Sequence, residues 1–144
     1  MKNIIFLLVS LVFTSCLNKN HNLERTVITV KQKDLKNEKI RNYRILEGMY
    51  NDSYFPPQSV DKAKDVLLEF CFNIENSKPK NLEQLYELSH TATGKINNLQ
   101  EDFYKNGSEL ETGAREAIAM DFDFISKSYG FKADIEELIS NRDW

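Results

Sequence analysis

Glu87-Leu88-Ser89-His90 sets a carboxylate and an imidazole three residues apart, so that on a helix they stand on neighbouring turns. The same spacing lets both groups bind one metal in ferritin-like di-iron bundles. Such a site needs a second E-x-x-H, and the sole other histidine, His21, falls in a polar N-terminal stretch. A single zinc held by Glu87, His90 and a carboxylate from another helix is the metal reading that is left. A solvated helix flank is the commoner fate of such a pair. At about 100° per residue, Glu87 lies outside the apolar arc of its helix and His90 at its edge, where the expected role is a hydrogen-bonded packing residue.

Asp121 is the more unusual carboxylate, because it falls near the centre of the stripe formed by Leu110, Ala114, Ala117 and Ile125. An unpaired charge there would cost several kcal/mol, so Asp121 must meet His90, Arg115, Arg142, a tyrosine hydroxyl or backbone donors, or else be protonated. A structural polar clamp is the first expectation; an acid or base sharing one pocket with Glu87 and His90 is the alternative. The chain contains no G-x-S-x-G, P-loop, dinucleotide fingerprint, C-x-x-C or H-E-x-x-H. No residue is therefore assigned a catalytic role, and neither a metal nor a cofactor is expected.

Two further groups bear on binding rather than turnover. Tyr50, Asp52, Tyr54 and Phe55 cluster ahead of Pro56-Pro57, and aromatics on a proline-stiffened loop make interface anchors or, equally, a plug for the end of a bundle. Cys16 follows Lys2, an apolar run from Ile4 to Phe13 broken only by Ser10, and the small residues Thr14-Ser15. That run is too short to span a bilayer, and the whole segment resembles a bacterial lipoprotein signal peptide. The resemblance implies cleavage before Cys16 and a lipid on its thiol, which anchors a chain without spanning. With no Asp after the cysteine, the expected address in a Gram-negative cell is the outer membrane, facing the periplasm.

The elements that position these groups are expected to be helices. The 144 residues suffice for one core, and hydrophobic residues at 41% with aromatics at 11% supply it. The net formal charge of −3, with no basic stripe, argues against nucleic acid as a partner. Lipidation of Cys16 would leave Cys71 alone among apolar neighbours, so no internal disulfide is expected.

The division predicted is a signal peptide over 1–15, a tether over 16–25 and a single all-α domain over 26–144. Thr26 to Val30 is β-branched and extended in character, with no second strand to pair with. A helix is predicted around Leu35 to Tyr50, carrying Ile40, Tyr43, Leu46 and Met49 on one stripe. A second runs from near Ser59, with Val60, Ala63, Leu67, Phe70, Cys71 and Ile74 inward, to Ser77-Lys78-Pro79. Asn81 and Gln84 cap a third, long helix reaching Asn106-Gly107, and Ser108 with Glu111 forms the S-x-x-E box of a fourth that stops at Gly130. Asp134 caps a last short helix. Short connections favour a compact bundle of three long helices with short ones at its ends.

From Met49-Tyr50-Asn51-Asp52-Ser53-Tyr54-Phe55-Pro56 onward the chain resembles a small uncharacterised bacterial domain family. Pro79-Lys80-Asn81-Leu82, Phe122-Asp123-Phe124-Ile125, Tyr129-Gly130-Phe131 and Asn141-Arg142-Asp143-Trp144 carry the likeness over the last hundred residues or so. It implies a helical single domain and brings no activity, cofactor or site residue. The expected role is a lipid-anchored envelope protein that binds a protein partner. The alternatives are an immunity-like protein that neutralises a toxin, and a small enzyme or single-metal site using His90 and Asp121.

Overall fold

The computed structural model describes residues 29–144, so Cys16 and the signal, tether and Thr26–Ile28 expectations lie outside the described residues. A 3-10 turn, Gln32–Asp34, leads into seven α-helices: α1 Glu38–Arg41, α2 Glu47–Tyr50, α3 Pro57–Ser77, α4 Leu82–Asn97, α5 Gln100–Lys105, α6 Thr112–Ser128 and α7 Ile135–Leu138. Among the described residues there is no strand, and the three long helices are α3, α4 and α6. None of the described helices is long and apolar enough to cross a membrane.

The helix α3 is the hub, packed against α4, α6 and α2, while α7 bridges α6 and α4. Pro57 starts it at a position where a missing N–H costs nothing. Val60, Ala63, Leu67, Phe70, Cys71 and Ile74 are all buried, as their spacing predicts. Phe70 meets Phe122 of α6 with ring centroids 5.2 Å apart, joining the two apolar stripes. Lys78 closes α3 in left-handed conformation with φ 51°.

The first predicted helix is not continuous. Its residues fold as α1 and α2, separated by a turn in which Leu46 takes φ 54°. Side chains replace the lost helical bonds: Asn37 Oδ1 accepts from the amides of Lys39 and Ile40, and Gln32 Nε2 donates to the carbonyls of Ile40 and Tyr43, both at 2.7 Å. The apolar residues Ile40, Leu46 and Met49 are still buried, so burial of the stripe was legible although its helix was not.

The third predicted helix also divides, at Asn98-Leu99, into α4 and α5. The freed carbonyl of Asn97 accepts from Gln100 Nε2 at 3.3 Å, and Phe103 is still fully buried. Asn81 caps α4 as expected, with Oδ1 accepting from the Gln84 amide.

Ser108 does not cap the next helix. Its amide donates to the Phe103 carbonyl at 3.0 Å while that of Gly107, at φ 88°, donates to Tyr104, so Ser108 completes the reverse turn ending α5. Helix α6 then begins after Glu111 without a side-chain cap. It ends by the same device, the amides of Gly130 and Phe131 donating to the carbonyls of Lys127 and Ser126. Asp134 caps α7 through the amides of Glu136 and Glu137.

Candidate functional site

Asp121 sits on the inner face of α6, 4% exposed, and its two carboxylate oxygens have different donors. Tyr43 donates its hydroxyl to Oδ1 at 2.7 Å, and the backbone N–H of Leu46 donates to Oδ2 at 2.7 Å. The break between α1 and α2 thus has a partner: the chain leaves helical conformation where its amide meets a buried acceptor. Burial pushes the Asp121 carboxyl upward, and the two hydrogen bonds only partly offset that, so its pKa stays above the ordinary carboxylate value. Burial, with the adjoining carboxylate, raises Tyr43 as well. The Tyr43 ring is fixed by stacking on Phe124, centroids 3.7 Å apart and planes 14° from parallel.

A shallow cavity opens beside this pair, walled by Tyr43, Arg44, Glu47, Met120 and Asp121 among others; neither Glu87 nor His90 lines it. His90 belongs to another network, with Nε2 2.7 Å from the Glu137 carbonyl and 3.0 Å from Ser140 Oγ. Because a carbonyl only accepts, that nitrogen carries the proton and is not free to ligate a metal. The Asn141 side chain donates to the His90 carbonyl, so His90 locks the C-terminal segment onto α4. Glu87 is exposed. Among the described residues no group of three or more His, Cys, Asp or Glu side chains is placed to hold a metal ion.

The Tyr50 to Pro57 loop divides its labour. Phe55 is buried and plugs the core, packed edge-on against Tyr54 at 5.0 Å between centroids. Asp52 Oδ1 accepts from the Tyr54 amide at 2.9 Å, shaping the turn from within. Tyr50 donates its hydroxyl to Asp61 of α3 at 2.6 Å, yet its ring, like that of Tyr54, stays exposed. The plug reading therefore describes Phe55, while Tyr50 and Tyr54 keep exposed rings.

Glu75 was not singled out by sequence reasoning. Near the end of α3, it accepts from the amides of Lys36 and Asn37 and from the Tyr129 hydroxyl at 2.8 to 3.0 Å. Its partial burial works to raise its pKa, but these donors outweigh that and hold it below the ordinary value. The available signal was its place one turn beyond Cys71 on the core-facing side of α3. Cys71 itself is fully buried with its thiol pushed upward by burial, which makes it inert. Tyr104 was also passed over; it is 70% exposed on α5 and shares a cleft with Tyr54.

A family of unknown function, DUF5713, matches residues 39–144. No curated protein and no solved structure matches the chain.

Proposed function

The chain belongs to that family of unknown function, and from this premise we propose that it is a protein-binding module of the cell envelope, held there by a lipid on Cys16. The observation that carries the binding reading is the surface at the Tyr54 turn. Tyr50 and Tyr54 remain exposed on a loop pinned by the Phe55 plug, the Asp52 turn and Pro56-Pro57, with exposed Tyr104 lining a cleft beside Tyr54. Aromatic rings held rigidly at a surface lose little entropy on docking, which makes them efficient anchors. The anchoring half of the proposal rests on the Lys2 to Cys16 pattern.

The test is quantitative co-purification from gently solubilised membranes. Wild type, Cys16→Ala and the double variant Tyr50→Ala/Tyr54→Ala are compared. The expected result is one partner in near-equal amount with wild type, lost with the tyrosine variant, and a Cys16→Ala protein that leaves the membrane fraction. No reproducible partner would overturn the binding reading, and a membrane-bound Cys16→Ala protein would overturn the anchor.

A further inference from the structure

The tyrosine cleft has a chemical bias that narrows the kind of partner it fits. One wall is Tyr54 and the other the connection from α5 to α6, with Tyr104, Ser108, Glu109 and Glu111 lining the space between. A second depression continues it past Tyr104 to Glu101, sharing Glu109 and Glu111. Of these three carboxylates, Glu101 is paired with Lys105 at 2.7 Å. Glu109 and Glu111 have no ion-pair partner among the described residues.

Ser108 supplies an independent observation. It is 3% exposed, and its Oγ is buried with no hydrogen-bond partner, because its backbone is committed to ending α5. A buried hydroxyl without a partner is costly, and this one belongs to a residue that lines the cleft. Two tyrosine rings, two unpaired carboxylates and an unpartnered hydroxyl together describe a receptor for a cation with several N–H donors. Tyrosine rings attract such a head group through their negative faces, and the carboxylates bond it directly.

We propose that this cleft takes the arginine or lysine side chains of a basic segment on a partner protein. The assignment rests on the binding reading above and gives it a charge and a location. Arginine fits best, since its planar guanidinium can stack on a ring while donating sideways to a carboxylate.

The experiment follows amide shifts of the full chain in detergent while an acetylated, amidated peptide of alternating arginine and glycine is added. The matching glutamate and glycine peptide is the control. The expected shifts are confined to Tyr54 and to the stretch from Tyr104 to Glu111. Affinity falls about tenfold in the double variant Glu109→Gln/Glu111→Gln, and about threefold in Tyr104→Ala. All three positions are exposed, so the fold persists. Unchanged affinity in the double variant, shifts centred elsewhere, equal binding of the glutamate peptide or no shifts at all would overturn the assignment. The two proposals separate cleanly. A partner that co-purifies with wild type and with Glu109→Gln/Glu111→Gln alike sustains the binding module and overturns the cation cleft. Peptide binding that obeys the variants while no partner co-purifies does the reverse.

Discussion

The carboxylate of Asp121 accepts the backbone N–H of Leu46 at 2.7 Å, and Leu46 holds a left-handed φ of 54°. A leucine in that conformation costs about 1–2 kcal/mol. Two things offset the strain: the hydrogen bond, and burial of a side chain that is only 1% exposed. Helix α6 thus dictates where the chain between α1 and α2 must turn.

Removing either side of this arrangement has a defined effect. Tyr43→Phe leaves Oδ1 of Asp121 without a donor and should lower stability by about 1–3 kcal/mol in urea unfolding. The ring stack on Phe124 survives in that variant, so a fall well beyond this range would show that the hydroxyl does more than donate.

The pH dependence of the Asp121 contribution has an unusual sign. Its folded pKa is raised, so its favourable contribution is complete below the ordinary value of 3.8 and is lost as pH climbs through the higher folded value. Stability of wild type relative to Asp121→Asn should therefore shrink as pH rises from 3.8, measured by urea midpoints across the acid range. A gap that widens over that interval would contradict the assignment.

Glu75 should behave in the opposite way. Its folded pKa is lowered, so its contribution is present above the ordinary 4.5 and disappears as pH falls through the lower folded value. Acidification beneath 4.5 should cost wild type more stability than Glu75→Gln. At neutral pH, Glu75→Ala should cost about 1–3 kcal/mol, because the Lys36 and Asn37 amides and the Tyr129 hydroxyl lose one shared acceptor.

Lys78 ends α3 in left-handed conformation, exposed and directly before Pro79. Lys78→Gly relieves backbone strain while adding freedom to the unfolded chain, and these opposing effects leave a net gain of about 0.5–1 kcal/mol. Thermal unfolding should show a higher midpoint; a lower one would place an unrecognised contact on the lysine stem.

Cys71 reports on global opening. Its side chain is fully buried within α3, so alkylation by a thiol reagent should proceed at the unfolding rate and quicken in step with Tyr43→Phe or Glu75→Ala. Labelling unaffected by those destabilising variants would point to a local opening around α3.

The residues that bury themselves were legible before the structure. Helical spacing identified the inward faces of α3 and α6, and the position of Asp121 on the second demanded a partner. Helix continuity was not legible. Ile40, Tyr43, Leu46 and Met49 keep a helical period because they all face one core, yet the backbone between them is bent by an acceptor 75 residues away. Ser108 with Glu111 matches a cap in pattern, but the same serine was needed to finish α5, a competition no local spacing reveals. His90 at the edge of its stripe and Asp121 near the centre of another were candidates for one shared pocket, whereas one fastens the C-terminal segment and the other the N-terminal turns. Only long-range pairing separates those tasks.

The Glu75 clasp also has a mechanical meaning. A pull arriving from residue 29 first meets Gln32, whose side chain holds the Ile40 and Tyr43 carbonyls, and then Lys36 and Asn37, where it divides between Glu75 on α3 and the Ser128 carbonyl, which accepts Asn37 Nδ2 at 2.8 Å. Tension on the leading segment is thereby shared between α1 and two long helices, α3 and α6, at their C-terminal ends.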